Sequence, residues 1–305
     1  MYNISEGPKI SIITAVLNRR HDLEKMVQSV LRQTYSNWEI VIIDNGSTDG
    51  SYEYANECVS IVNNHDRFKV KRCPTKGLAF ARNMGFDVAT GQWLMILDSD
   101  NLLRHINVLL EVVKLIGTYS DASVILTMNE GDNEECISFL NGVKPNQPCS
   151  VNDYLLTKGE FSAILKKMWV SVNKYPEIDG AITEFPTYLY CLAAETKSLI
   201  IVENILQIYS TSSDGRICDQ ALQGRRAWEL MLNYQMLKNR YCKLGVLSVK
   251  KIISIKTKYY FYRRLVLADK KITLKNHFGD RILRWIPLQS VHYLFKIHRE
   301  VLCLK

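Results

Sequence analysis

The sequence predicts an α/β protein: a mostly parallel sheet flanked by helices over residues 1–215, then a basic, mostly helical region over residues 216–305. Three observations predict it. Short, nearly continuous apolar runs recur through the first part, as strands buried on both faces require. Stretches of helical period separate them. The charge then changes sign: residues 1–215 carry 19 Lys and Arg against 26 Asp and Glu, whereas residues 216–305 carry 20 against 5, in a chain of net charge +8.

Lys9 to Val16, rich in Ile, reads as the first strand. His21 to Gln33 then sets Leu23, Met26, Val27, Val30 and Leu31 on one stripe, a helix with a single buried face. Glu39 to Ile43 is a second strand that stops at the polar turn Asp44-Asn45-Gly46-Ser47, where Ser47 or Thr48 can cap a helix beginning near Asp49. Phe68 to Arg72 is a short third strand. Gly77 to Ala89 is a helix with Leu78, Ala81, Gly85 and Val88 facing inward. Trp93 to Leu97 is a strand delivering Asp98-Ser99-Asp100, and Arg104 to Ile116 is an amphipathic helix. Residues 129–153, acidic and then rich in Pro and Asn, read as a loop near the site. Leu199 to Tyr209 returns to strand character, Ser210 to Gly215 reads as a linker, and Gln220 to Leu244 as a helix.

Composition excludes several classes. Eight cysteines stand without a Cys-x-x-Cys pair, so neither a zinc site nor a disulfide framework is expected and reduced thiols are the default. No apolar run reaches the length of a membrane span, and no basic-then-apolar leader opens the chain. The expected location is cytoplasmic. No Gly-x-Gly-x-x-Gly follows the first strand, which argues against a dinucleotide-dependent dehydrogenase.

Polar groups collect where strands end: Asn18, Asp44, Lys76 to Asn83, and Asp98-Ser99-Asp100. That edge of an open α/β sheet is where ligands bind. Two carboxylates two positions apart suit a hard cation such as Mg²⁺ or Mn²⁺, which in turn holds a diphosphate. An isolated Asp-x-Asp is also an ordinary helix-capping turn, so the motif gains its meaning from its neighbours. Asn18 reads as a shaper of its turn. Arg82 has a plain surface alternative, an ion pair with Asp87. His21 and His105 fall near the edges of the site, and no His is assigned to metal.

Together these stretches resemble the family 2 glycosyltransferases of the GT-A fold. The matching segments are Ser11 to Asn18, Gln33-Thr34-Tyr35, Trp38 to Ser51, Lys76 to Asn83 and Gly91 to Asp100. The resemblance implies metal-dependent transfer of a sugar, with inversion, from a nucleotide-diphosphate-sugar donor to a glycan or lipid-linked acceptor, as in surface polysaccharide biosynthesis. It implies that Asp44 accepts a hydrogen bond from the nucleobase and that the backbone at Thr14 and Ala15 approaches base and ribose. It places Arg82 and Ser99 in the donor-binding set. Asp98 would contact ribose or metal-bound water, and Asp100, with Asp98, would hold Mg²⁺ or Mn²⁺.

The resemblance also requires a base to deprotonate the acceptor hydroxyl. In the family this comes from an acidic pair opening a later helix; here Glu184 is followed by Phe185 where the second acid is expected, and Pro186 fits a first helical turn. Glu184 is the candidate base, with Asp179 and Glu177 as alternatives; a purely capping Glu184 is the structural reading. Phe185 also supports a different class of protein, a non-catalytic nucleotide- or glycan-binding partner in an assembly complex. The basic region interleaves Lys250-Lys251, Arg263-Arg264 and Lys270-Lys271 with Tyr259-Tyr260-Phe261-Tyr262, Trp285 and Phe295. That mixture suits an anionic membrane surface, on the inner face of the cell membrane. A helical bundle with a solvated basic face is the plainer reading, and single-stranded nucleic acid the weaker fit.

Overall fold

The computed structural model describes residues 7–61, 67–178, 181, 185–210, 227–242, 247 and 251–259. The chain divides into two compact units, Met1–Asp214 and Gly215–Lys305. The first unit opens with β1 (Ile10–Val16), α1 (Arg20–Leu31), β2 (Trp38–Asp44), α2 (Ser51–Ile61), β3 (Phe68–Arg72), α3 (Leu78–Val88) and β4 (Trp93–Ile96). It continues through β5 (Leu102–Leu103), α4 (Val108–Thr118), β6 (Val124–Gly131), β7 (Ser138–Phe139), α5 (Val151–Tyr154), β8 (Lys158–Gly159), β9 (Phe161–Lys166), α6 (Lys167–Val170), α7 (Pro186–Glu195) and β10 (Leu199–Tyr209).

Eight strands form one sheet in the order β3-β2-β1-β4-β9-β6-β10-β5. β1 to β4 are parallel, as their continuous apolar runs require. β9 and β5 run against their neighbours, so the sheet is mixed on its far side. β7 and β8 form a separate two-stranded ribbon. Ile10 and Ile12 of β1 bury one face against Leu23, Met26 and Val27 of α1 and Val108, Leu109 and Val112 of α4. On the opposite face α3 lies so close that a Cβ on Gly85 would meet Ile13 at 2.6 Å. Only glycine permits that approach.

Several boundaries differ from expectation for identifiable reasons. α2 starts at Ser51 because Asp49 is its cap: Asp49 Oδ1 accepts the Ser51 amide at 3.0 Å and hydroxyl at 2.6 Å. Ser47 and Thr48 are instead tied to Asn18, whose amide donates to Ser47 Oγ at 3.0 Å and whose Oδ1 accepts the Thr48 amide at 2.8 Å. On α3, Ala79, Ala81, Arg82, Asn83, Gly85 and Phe86 are buried, while Leu78 and Val88 are half-buried. Residues 102–103 form β5 against β10, and the Arg104 amide donates to Leu206 O at 3.0 Å, so α4 begins later, at Val108. The expected loop over 129–153 includes the end of β6, all of β7 and most of α5. Of the expected linker, only Ser210 is among the described residues.

In the second unit, α8 (Ala227–Tyr241) and the helical residues 251–259 bury Met231, Leu237, Tyr241, Ile255 and Tyr259. Lys238 Nζ lies 3.6 Å from the Tyr259 ring centre, a cation–π contact. Residues 260–305, including Arg263-Arg264, Trp285 and Phe295, lie outside the described residues. Among the described residues no helix is long and apolar enough to cross a membrane.

At the amino-terminal edge of the sheet, Glu39 of β2 is completely buried and holds three strands together. Lys69 of β3 lies 2.8 Å and Lys9 3.0 Å from Glu39 Oε2. Ser11 Oγ of β1 donates to its Oε1 at 2.6 Å, and the Thr90 amide donates there too. Burial pushes this carboxyl up, but the bonds from Lys69, Ser11, Thr90 and Lys9 outweigh it and hold it at about 2 against an ordinary 4.5. The resulting stabilisation is complete above pH 4.5 and is lost as the pH falls towards 2. Glu39→Gln should therefore cost about 3 kcal/mol in urea unfolding at pH 7, with the difference from wild type shrinking below about pH 4. An unchanged midpoint at pH 7 would contradict this role.

Candidate functional site

β1 pairs in parallel with β2 on one side and β4 on the other, with Val16 opposite Asp44 and Ile13 opposite Ile96. The ladder continues as the Leu97 amide donates to Ile13 O at 3.1 Å. The carboxyl ends of the three strands therefore lie side by side and bring together Thr14 to Val16, Asp44 and Leu97 to Asp100. Thr14 Oγ1 is buried and donates to Leu97 O at 2.8 Å. Its side chain is a brace, and the backbone of Thr14 and Ala15 continues the ladder with β2.

Asp44 is fully buried at the end of β2. Its carboxylate accepts the amides of Gly46 at 3.2 Å and Ser47 at 3.1 Å, so it does shape its own turn. It also has Arg72 at 3.6 Å, and that guanidinium stacks 3.9 Å from the Tyr52 ring centre. Asn18 sits at φ +52 and ties the β1 turn to the β2 turn, the structural part expected of it.

Arg82, in the first turns of α3, is 5% exposed and donates to Asp98 Oδ1. Asp87 is engaged by Lys174 at 2.7 Å, so the surface pairing considered for Arg82 is not the one formed. Gly77 precedes the helix at φ +140, where a Cβ would lie 2.6 Å from Ala181 O. That position admits glycine alone. Ser99 is buried, and Asp100 lies 3.8 Å from Arg19, which also faces Asp22 at 3.6 Å. Asp98 and Asp100 thus supply hard oxygen donors on one turn. Among the described residues no group of three His, Cys, Asp or Glu is arranged to hold a metal. Two carboxylates fit Mg²⁺ or Mn²⁺ when phosphate oxygens and water complete the shell. His105 pairs with Glu111 at 3.2 Å, and His21 is exposed.

Asp179 and Glu184 lie outside the described residues. Glu177 accepts a bond from Asn83 Nδ2 at 2.8 Å, and the same amide group donates to Tyr175 O at 2.8 Å. Glu177 therefore helps anchor its segment to α3. Phe185, next to Pro186 at the start of α7, is 2% exposed.

A cleft of about 200 Å³ opens beside Asp98. Arg82, Asp98, Asn101, Tyr154, Glu160 and Tyr190 line it, with Gln207 behind them. Gln207 is held by its bond to Ile96 O at 2.7 Å, and Asn101 Oδ1 accepts the Ser210 amide at 3.3 Å. None of Asn101, Tyr154, Glu160, Tyr190 or Gln207 belongs to a local motif. Residues scattered from 101 to 207 converge through long-range strand pairing and the packing of α5 on α7, where the Tyr154 and Tyr190 rings meet edge to face at 6.0 Å, signals absent from any short window of sequence.

Residues 11–138 match the family model described as glycosyl transferase family 2. That segment is a family 2 glycosyltransferase domain. An uncharacterized glycosyltransferase of Haemophilus influenzae is 27% identical over 260 residues, covering 83% of this chain and 94% of that one. A PGL/p-HBAD biosynthesis glycosyltransferase of Mycobacterium tuberculosis is 34% identical over 119 residues, 39% of this chain and 46% of the relative. Among solved structures, a mannosyltransferase from Pyrobaculum calidifontis in complex with GDP-Man and Mn²⁺ aligns with a TM-score of 0.61 at 17% identity, covering 98% of this chain and 84% of that one. S. aureus TarS 1–349 in complex with UDP-GlcNAc aligns at 0.59 and 15% identity, covering 86% and 74%. At these identities the neighbours establish the fold, which is GT-A. This glycosyltransferase accordingly has an α/β domain whose parallel strands end at Asp44 and at the Asp98-Ser99-Asp100 turn.

Proposed function

We propose that this glycosyltransferase moves a sugar from a nucleotide-diphosphate-sugar to a glycan or lipid-linked acceptor, with inversion, in surface polysaccharide assembly. The observation that carries the reading is the convergence of Asp44, Arg82, Asp98 and Asp100 on one sheet edge beside a polar cleft. In this reading Asp44 and the backbone of Thr14 and Ala15 receive the nucleoside. Arg82, the Asp98-Ser99 turn and Asp100 receive the diphosphate and sugar. Mg²⁺ or Mn²⁺, held by Asp100 with Asp98, would stabilise the negative charge that develops on the leaving diphosphate. Arg82 offers a fixed, always charged group to the same oxygens. The structural neighbours bound to UDP-GlcNAc and to GDP-Man with Mn²⁺ support the donor class.

Calorimetric titration of the full chain with UDP-GlcNAc, GDP-Man, UDP and GDP should show binding to one nucleotide class that strengthens with Mn²⁺. Asp100→Asn should remove most of that metal effect, about tenfold or more in Kd, equivalent to at least about 1.4 kcal/mol. No nucleotide binding under any of these conditions would overturn the reading.

The basic second unit supports attachment to an anionic membrane surface, where a lipid-linked acceptor resides. Flotation of the full chain should recover it with phosphatidylglycerol-containing vesicles at low salt and leave it behind with pure phosphatidylcholine. Equal behaviour on both would reject the attachment.

A further inference from the structure

Building on the transferase reading, we propose that the cleft beside Asp98 is a subsite for an uncharged sugar ring, read by the side-chain amides of Asn101, Asn129 and Gln207. All three line the cleft and are almost wholly buried, at 3%, 2% and 1% exposure. Gln207 of β10 pairs with Asn129 of β6, which sets their side chains next to each other on one face of the sheet. The main chain of Asn129 is already used: its amide donates to Ser138 Oγ at 2.9 Å and its carbonyl accepts the Ile137 amide at 3.0 Å. What Asn129 offers the cleft is its side chain.

Each amide is fixed by one bond that also decides which end it presents. Ser162 Oγ, itself on the cleft wall, donates to Asn129 Oδ1 at 2.7 Å. Gln207 Nε2 donates at 2.7 Å to the carbonyl of Ile96, two residues before Asp98. Asn101 Oδ1 accepts the Ser210 amide at 3.3 Å. The remaining atoms, Asn129 Nδ2, Asn101 Nδ2 and Gln207 Oε1, have no protein partner among the described residues. None of them is sealed in the interior as Thr127 Oγ1 of β6 is, so their open sides reach the cleft. The floor thus offers two donor groups and one acceptor, all without charge.

A sugar hydroxyl meets both demands, since it can give its proton to Gln207 Oε1 and accept from an Nδ2. A carboxylate can only accept, so on this floor it would face the Gln207 carbonyl oxygen with no proton to share. Charge works in the same direction. Arg82 is the cation among the described lining residues and is paired with Asp98, while Asp98 and Glu160 are the acids. An anionic ring would lose its water without gaining an unopposed cation, which is costly. The Tyr154 and Tyr190 rings, edge to face at 6.0 Å, add apolar wall for the carbon side of a pyranose. Because Gln207 is bonded to the strand that delivers Asp98, the ring would sit next to the turn assigned to the diphosphate.

The test is calorimetric titration of the full chain with Mn²⁺, using ligand pairs that share a nucleotide: UDP-glucose with UDP-glucuronate, UDP-galactose with UDP-galacturonate, and GDP-mannose with GDP-mannuronate. On the nucleotide that binds, the uncharged member should bind at least about tenfold tighter than its uronate, equivalent to about 1.4 kcal/mol. Asn129→Asp keeps the acceptor for Ser162 and puts a charge on the floor. It should weaken that uncharged ligand by about tenfold and leave UDP or GDP alone within about twofold. Ser162→Ala, which frees the Asn129 amide to turn, should weaken the same ligand by about threefold and again spare the bare nucleotide. A uronate that binds as tightly as its uncharged partner would overturn the proposal, and a tighter one would assign Arg82 to a sugar carboxylate instead. Equal losses for nucleotide-sugar and bare nucleotide in Asn129→Asp would also overturn it, since they mark a structural role. Failure of the wild type to bind any nucleotide overturns the transferase reading, whereas binding without discrimination defeats this inference alone.

Discussion

The site depends on β1 having a parallel partner on each side. Parallel neighbours share direction, so the carboxyl ends of β2, β1 and β4 must emerge at the same edge. Burial on both faces fixes the register, because a slip of one residue would turn Ile10 and Ile12 away from α1 and α4. The buried Thr14–Leu97 bond and the Asn18 bonds to Ser47 and Thr48 then lock the three turns to one another. Polar groups far apart in sequence are thereby set side by side on rigid strand ends. At the other edge, Glu39 of β2 and its lysines tie β2 to β1 and β3.

Charge is distributed across this edge in opposed pairs. Arg82 faces Asp98, Arg19 faces Asp100, and Arg72 faces Asp44. Without its partner a carboxylate as buried as Asp44 would be costly to keep ionised, and the same holds for the 5%-exposed guanidinium of Arg82. In the proposed reading, a diphosphate entering here would meet cations that are already oriented, so little reorganisation would be needed to hold it. A divalent ion at Asp100 would have to displace or accommodate Arg19, which ties metal and nucleotide binding to the same small turn. The cleft next to it combines Tyr154 and Tyr190 with Asn101 and Glu160, a mixture of flat apolar surface and hydrogen-bonding groups suited to a sugar.

Much of the strand-end cluster was legible from residues 11–100. Strand periodicity located β1 to β4, and the polar residues after each run gave Asp44, Arg82 and Asp98 to Asp100. The reason is physical: in a parallel sheet, a ligand-binding residue is written next to the strand that carries it. Helix starts were less legible, because capping depends on which oxygen reaches the amide, and Asp49 outcompeted Ser47 and Thr48 once those were drawn towards Asn18. The cleft was not legible. Glu160 gains its place from the antiparallel entry of β9 between β4 and β6, a pairing with no local signal. Glu184 and Asp179, the acids that the helical pattern offers as a base, lie outside the described residues.

The central claim is that the shared edge of β1, β2 and β4 receives a nucleoside diphosphate. Hydrogen–deuterium exchange of the full chain, with and without UDP or GDP and Mn²⁺, tests it most directly. Protection should concentrate in peptides covering residues 14–19, 44–48 and 98–101, with little change across α4 or α8. Protection confined to residues 227–259, or absent from all three turns at saturating nucleotide, would contradict the claim.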